Sequence, residues 1–254
     1  MEARVTRAGF LHSVPALAER FDAMVGAAMV GADAPALERI HVVDSWMLQT
    51  AIREGVTEAV RTRVAGHLRH LADAGAEAVL VTCSSIGEAA EEAAGSLRIP
   101  VVRVDNAMAV DAVARATDDV PRVVVLATNT ATLGPTTRLI ERAAREAQRS
   151  LAVSAHVVDG AVAARDAGCP DEHDRLIAEA VAEAAEHASV IVLAQASMAA
   201  AAEHAAVAVP VLTSPAGGVA ALLAALTPPG PAGAPDSRAN RASLPGPGGP
   251  KENP

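Results

Sequence analysis

Eight short runs of aliphatic and β-branched residues alternate along this chain with longer stretches rich in Ala, Glu and Arg. Several of these runs are almost continuously apolar, which is typical of strands buried on both faces of a parallel sheet. Strands that alternate with helices predict right-handed β-α-β units, whose ligands bind beyond the carboxyl ends of the strands. The predicted strands cover residues 5–12, 39–44, 78–82, 101–105, 122–127, 153–158, 190–194 and 209–213.

The second half of the chain repeats the order of motifs found in the first half. HVVDS at residues 41–45 recurs as HVVDG at residues 156–160, and VLVTCSSIGEAAEEAA at residues 79–94 recurs as IVLAQASMAAAAEHAA at residues 191–206. This repeat pairs Cys83 with Gln195. We therefore expect an α/β protein made of two pseudo-symmetric, four-stranded parallel-sheet halves of Rossmann or flavodoxin type, with a cleft between them.

The same pattern suggests where the two halves begin and end. The first half is expected to cover residues 1–114 and the second half residues 115–210, while a helix within residues 211–227 returns to complete the first half. Residues 228–254 are rich in Pro, Gly, Ser and charged residues. Burial in such a segment cannot offset the entropy lost on ordering, so we expect a flexible tail without a catalytic role.

Composition argues against several classes of function. The net charge is −9 and no cluster of Lys and Arg is present, so a nucleic-acid partner is not expected. Apolar stretches end well before 18 residues, and the N-terminal residues show no signal-peptide pattern, which predicts a cytoplasmic protein without a membrane partner. The spacing of Cys and His fits no zinc site, and no disulfide is expected between the two cysteines.

Cys83 is the strongest candidate for a catalytic residue. It ends the third predicted strand and precedes a helical stretch, with Ser84 or Ser85 as a plausible N-cap. A thiol at this position feels the helix dipole, which favours the thiolate, and the free N–H groups nearby can hold a carboxylate. The alternative interpretation is a small buried cysteine with a packing role only.

Two further groups follow strands of the second predicted sheet. The two-fold repeat places Gln195 across the cleft from Cys83, where an amide can form hydrogen bonds but cannot shuttle protons; its alternative role is to bond the neighbouring loop backbone. Thr128, Asn129 and Thr130 offer hydrogen-bond donors for carboxylate oxygens. Alternatively, this polar segment caps a helix that starts near residue 136, a role we assign to Thr132 or Pro135.

Other polar residues are weaker candidates. His12 ends the first strand and could serve as an acid, a base or an anion contact, or as a hydrogen-bonded structural histidine. Asp44 recurs as Asp159, which favours a role in the fold. Cys169 lies in a loop and is interpreted as incidental.

Three segments, taken in order, resemble the aspartate/glutamate racemase superfamily, which includes hydantoin racemase, maleate isomerase and arylmalonate decarboxylase. The resemblance spans residues 6–226. It implies two pseudo-symmetric α/β domains and no metal, pyridoxal phosphate or nucleotide cofactor, and it implies a homo-oligomer, commonly a dimer. The segments are VLVTCSSIG at residues 79–87, VVVLATNTATLGP at residues 123–135 and IVLAQASM at residues 191–198.

The resemblance also suggests roles for individual residues. In these racemases two cysteines flank the substrate, one removing the α-proton and the other returning a proton on the opposite face. Cys83 matches the first cysteine, whereas Gln195 replaces the second, and Ser84 and Ser85 stand where the racemases often have Asn and Thr. Arylmalonate decarboxylase has a single cysteine, but it is the one in the second half.

The leading hypothesis is therefore a racemase- or isomerase-type enzyme that uses Cys83 to transfer a proton at a carbon next to the carboxylate of a small acid or amino-acid-like substrate. The alternatives are a decarboxylase or other lyase with one cysteine, and an inactive paralogue that binds a small acid. Catalytic roles are predicted for Cys83 and Gln195, and substrate-binding roles for His12, Ser84, Ser85, Thr128, Asn129, Thr130 and Ser197.

Overall fold

The computed structural model describes residues 5–30, 36–117 and 121–227, and the tail predicted for residues 228–254 lies outside them. The described residues form two four-stranded sheets in which every pair of neighbouring strands is parallel. Helices connect the strands, as parallel pairing requires.

The first sheet has the strand order β2-β1-β3-β4. Its two central strands have fully buried apolar side chains, whereas the edge strand β2 is only partly buried. In chain order, the elements of this half are β1 (Thr6–His12), α1 (Ala16–Met29), β2 (Leu37–Val43), α2 (Ser45–Glu54), α3 (Glu58–Asp73), β3 (Ala78–Val81), α4 (Gly87–Ala94), β4 (Val101–Arg103) and α5 (Asn106–Arg115).

The second sheet has the order β6-β5-β7-β8, which is the same arrangement with each strand number raised by four. Its core contains Val, Ala, Leu, Ile and Met but no aromatic residue among the described residues. The elements are β5 (Arg122–Ala127), α6 (Thr130–Glu146), β6 (Ala152–Val157), α7 (Ala161–Asp166), α8 (Pro170–Ala185), β7 (Val190–Leu193), α9 (Ala199–Ala202), β8 (Val211–Thr213) and α10 (Pro215–Leu226).

The structure confirms the predicted fold class. All eight strands are present, and their ends lie within two residues of the predicted limits. The matching strand orders of the two sheets confirm the pseudo-symmetry that the repeated motifs indicated. Strand β5 agrees at both ends, because its apolar run is bounded by Pro121 and by polar residues from Thr128 onward.

Helix α10 follows the last strand of the second sheet and packs on the first sheet. Its buried residues Val219 and Leu222 join Phe10 and Phe21 in one apolar cluster. A Cβ atom on Gly218 would lie 2.8 Å from Val104 Cγ2, so this glycine allows α10 to approach β4 closely. Along the described chain, no helix combines the length and apolar character needed to cross a bilayer.

Candidate active site

A cleft lies where the carboxyl ends of strands from both sheets meet. The volume of the cleft is about 350 Å³, and part of this volume is open to solvent. The first half contributes residues that follow β1 and β3, and the second half contributes residues that follow β7. The lining residues are Ser13, Val14, Leu17, Leu48, Thr82, Cys83, Ser84, Ser85, Thr132, Arg165, Gln195, Ala196 and Ser197.

Cys83 lies between β3 and a short 3-10 turn, Ser84–Ile86, that leads into α4. Its side chain lines the cleft although the residue is only 8% exposed. Burial raises the pKa of the thiol, and hydrogen bonds from Ser13, from the backbone N–H groups of Ile86 and Ser85 and from the Ser85 hydroxyl offset this only in part. The expected preference for thiolate is therefore reversed, and Cys83 is a neutral thiol near pH 7.

Ser84 and Ser85 are not helix caps, contrary to the expectation from sequence. They lie inside the 3-10 turn, because α4 begins only at Gly87. Ser84 Oγ donates to the Ala194 carbonyl oxygen at 3.0 Å, and the Ser85 and Thr132 hydroxyls lie 3.0 Å apart. Both bonds join the first half to the second, so they hold the Cys83 turn against the opposite side of the cleft.

Gln195 follows β7 and lines the same cleft as Cys83. Its Oε1 atom accepts hydrogen bonds from the Thr128 backbone N–H at 2.6 Å and from the Thr128 hydroxyl at 3.0 Å. Its Nε2 atom makes no hydrogen bond within the described residues. The amide is thus fixed at its oxygen, and its N–H groups remain available to a ligand.

The segment after β5 differs from the expected capping arrangement. Helix α6 begins at Thr130, six residues before the predicted start, and Pro135 lies inside it. Pro135 is the sixth residue of this helix, so it removes the backbone hydrogen bond to the Ala131 carbonyl and its ring crowds that carbonyl. Thr132 therefore lies in the first turn, where its hydroxyl donates to Asn129 Oδ1 at 3.3 Å.

The structure places the other predicted binding residues at different distances from the cleft. Ser197 lines it, and its hydroxyl makes no hydrogen bond within the described chain. Thr128 and Asn129 are buried beside it without contributing to its lining, and Thr130 is exposed to solvent.

His12 is fully buried and does not line the cleft. Its Nδ1 atom lies 2.9 Å from Thr82 Oγ1, and its Nε2 atom lies 2.9 Å from His41 Nδ1. Burial, together with the neighbouring His41, lowers the pKa of His12 to about 4. His12 is therefore neutral near pH 7 and belongs to a network that joins β1, β2 and β3, which matches the structural alternative considered for it.

Ser13 and Arg165 are among the cleft residues that the sequence did not lead us to assign to the site. Ser13 follows β1, and because β1 pairs with β3, the strand-end rule could have placed it next to Cys83. Arg165 lies in the last turn of α7, and no motif in the sequence marks it. Its place at the cleft results from tertiary packing alone.

Asp44 and Cys169 lie away from the cleft lining. Asp44 accepts a hydrogen bond from the Trp46 backbone N–H at 3.2 Å and thereby caps α2, and it also binds Arg63 and His67. Cys169 is exposed, and both it and Cys83 are free thiols. Among the described residues, no group of three His, Cys, Asp or Glu side chains is arranged to hold a metal ion.

Comparisons with known proteins agree with this fold. A sequence profile described as Asp/Glu/Hydantoin racemase matches residues 12–222. No curated protein matches the sequence.

Solved structures of low sequence identity share the architecture. A Yersinia pestis protein proposed to be an Asp/Glu racemase is 16% identical, with a TM-score of 0.66 over 87% of this chain and 100% of that chain. Aspartate racemase from Picrophilus torridus is 13% identical, with a TM-score of 0.62 over 87% of this chain and 94% of that chain. Allantoin racemase from Pseudomonas fluorescens is 20% identical, with a TM-score of 0.55 over 86% of this chain and 90% of that chain.

Proposed function

Because the chain belongs to the Asp/Glu/hydantoin racemase family, we propose that it is a cofactor-independent enzyme that transfers a proton at a carbon next to the carboxylate of a small acid, with Cys83 as the proton-transfer group. The observation that carries this proposal is the cleft itself. A thiol from one half and an amide from the other half line a single small cavity.

Each side of the cleft contributes a different part of the chemistry. In the direction of protonation, the Cys83 thiol gives its proton to a carbanion, and the electron pair of the S–H bond stays on sulfur. Ser13 and the N–H groups of Ser85 and Ile86 stabilise the resulting thiolate. In the reverse direction the thiolate removes the α-proton, while N–H groups of Gln195 stabilise the charge that develops on the carboxylate oxygens.

A second candidate function is supported by the residues facing Cys83. Gln195 cannot return a proton to the opposite face of the substrate. The raised pKa of Cys83 keeps a proton on sulfur, which suits a group that acts first as an acid. Both features favour a decarboxylase or other lyase that protonates one face only.

Deuterium incorporation separates the two candidate functions. Candidate acids are incubated with the enzyme in heavy water. Exchange of the α-hydrogen with inversion supports a racemase, whereas release of carbon dioxide with a product of one handedness supports a lyase.

Replacement of the thiol tests the central role of Cys83. We expect Cys83→Ser to lower turnover by at least about 100-fold, the scale associated with loss of a proton-transfer group. Cys169→Ser is the matched control, because Cys169 is exposed and lies outside the cleft lining, and it should leave turnover unchanged. Binding of acids without any turnover, measured as a melting shift that persists in Cys83→Ala, would instead identify an inactive binding protein.

Replacement of Gln195 by cysteine tests the pairing across the cleft. Gln195→Cys adds a second thiol on the side opposite Cys83, so inversion at the α-carbon should appear or increase. If inversion stays at the wild-type level in a folded variant, the two positions do not act on opposite faces of one substrate.

A further inference from the structure

Arg165 is the one charged side chain among the cleft-lining residues of the described chain. Its side chain is 38% exposed, and its Nε and Nη2 atoms donate to Asp166 Oδ1 at 3.2 and 3.0 Å. The Asp166 partner is more exposed still, and exposed ion pairs are weak. A ligand carboxylate that enters the cleft can therefore compete with Asp166 for the guanidinium.

The charge of the lining restricts the charge of the ligand. With a neutral Cys83 thiol, the described lining carries one positive charge, so a single ligand carboxylate balances it. Among the described lining residues, a second ligand carboxylate has no further cation to pair with. An ammonium group likewise has no carboxylate partner within that lining, so its loss of water on entering is costly.

An apolar surface from the first half faces the same cavity. It is formed by Val14 in the turn after β1, by Leu17 on α1 and by Leu48 on α2. Leu17 is buried, and the other two are partly buried. An uncharged ligand group that packs on this surface gains from removing apolar area from water, whereas a charged group there would lose hydration.

Resting on the proposed function, we infer that the cleft takes an acid with one negative charge, bound by Arg165, whose uncharged remainder packs on Val14, Leu17 and Leu48. Such a ligand is neither a zwitterionic amino acid nor a dicarboxylate. Because this ligand has no ammonium group, a different substituent must make the hydrogen on the reacting carbon acidic. That substituent belongs to the uncharged part of the ligand, as a carbonyl group or a double bond would.

Three matched ligands test this inference in binding experiments that need no turnover. They are 2-methylpentanoate, norvaline, which replaces the methyl group by an ammonium, and 2-methylglutarate, which adds a second carboxylate. Isothermal titration calorimetry on the full chain should give 2-methylpentanoate an affinity at least about 10-fold higher than either charged analogue. Equal or tighter binding of norvaline or 2-methylglutarate would overturn the inference.

A variant of Arg165 tests its part directly. Arg165→Gln should weaken binding of 2-methylpentanoate by roughly 10- to 100-fold, because a charge-assisted hydrogen bond is lost. Arg175→Gln is the control, since Arg175 is an exposed arginine of the same half that lies outside the cleft lining. Unchanged affinity in Arg165→Gln, with a circular dichroism spectrum like that of the wild type, would remove Arg165 from the site.

Leu48→Ala tests the apolar surface. It should weaken the binding of 2-methylpentanoate by several-fold. The affinity for acetate should change little, because acetate has no chain to pack on Leu48. An equal loss for both acids would contradict packing of the ligand on this surface.

Thiol labelling locates the bound acid. Saturating 2-methylpentanoate should slow alkylation of Cys83 by iodoacetamide, with the exposed Cys169 in the same sample as the reference. Labelling of Cys83 at the unprotected rate would place the acid elsewhere.

The inference and the proposed function fail in different ways. If the matched acids bind as expected but no acid undergoes exchange or decarboxylation, the proposed function is wrong. The inference that the cleft binds acids with one negative charge would still hold. If Cys83→Ser abolishes turnover while Arg165→Gln binds normally, the function stands and the inference is wrong.

Discussion

At the scale of single residues, Thr128 fixes the orientation of the Gln195 amide through two hydrogen bonds. Two donors of Thr128 meet the same amide oxygen, so the amide cannot rotate without losing both bonds. Thr128 was predicted to bind substrate, and the structure buries it against Gln195 without placing it in the cleft lining. We therefore assign it as a positioning residue for Gln195.

Thr128→Val tests this assignment. The variant keeps the backbone N–H donor but loses the hydroxyl. We therefore expect kcat to fall by roughly 3- to 10-fold, which corresponds to the net free energy of one hydrogen bond. Thr128→Ser should restore activity. Thr130→Val is the control, because Thr130 is exposed at the start of α6. A Thr128→Val enzyme with wild-type kcat would show that the hydroxyl does not orient Gln195.

At the scale of secondary-structure elements, a histidine pair joins the carboxyl ends of the first three strands. His12 on β1 contacts Thr82 after β3 and His41 on β2, and its ring stacks beside Phe10. His41 faces Asp22 of α1 and Arg39 of its own strand. Burial lowers the pKa of His41 as well, so both rings favour their neutral forms.

This arrangement predicts a loss of stability in acid. The pKa of His12 is about 4 in the folded protein and about 6.5 in the unfolded chain, so the unfolded state binds more protons between these values. The contribution of neutral His12 to the free energy of unfolding is complete above pH 6.5 and is lost as the pH falls to 4. The total change is on the order of 3 kcal/mol.

Urea unfolding at several pH values measures the effect. The free energy of unfolding should fall more steeply with acidification in the wild type than in His12→Gln, which lacks the titrating ring. His204→Gln, a change at an exposed histidine, should behave like the wild type. Parallel pH profiles for the wild type and His12→Gln would contradict the prediction.

At the scale of the whole molecule, ion pairs join the two halves beside the Cys83 turn. Arg138 and Arg142 on α6 bind Glu88 and Glu91 on α4, the helix that follows the Cys83 turn. Glu91 also meets Arg103, whose buried guanidinium forms two hydrogen bonds with the fully buried Asp105. Removal of Glu91 therefore leaves a buried cation with one partner fewer.

The same substitution, Glu to Gln, should lower the free energy of unfolding by different amounts at two positions of α4. Glu91→Gln should lower the free energy of unfolding by roughly 1–2 kcal/mol, because it weakens the bonds of the buried Arg103. Glu88→Gln removes an exposed pair with Arg138 and a longer-range attraction to Arg103, and it should lower the free energy of unfolding by less than about 1 kcal/mol. Urea unfolding measures the free energy of unfolding of both variants. Equal losses would show that the contact between Glu91 and Arg103 does not stabilise the protein.

The sequence by itself determined the eight strands, the pseudo-symmetry of the two halves and the position of Cys83 and Gln195 at strand ends. These features depend on local apolar runs and on a repeated motif order, both of which can be read along the chain. Repetition also pairs Gln195 with Cys83, and both residues line one cleft.

Only the tertiary structure decided which side chains surround that cleft. Burial reversed the expected protonation of Cys83, because desolvation depends on every element packed around the sulfur. Packing also brought Arg165 to the cleft and kept His12 out of its lining. Such effects arise between residues far apart in the chain, so no local pattern of sequence specifies them.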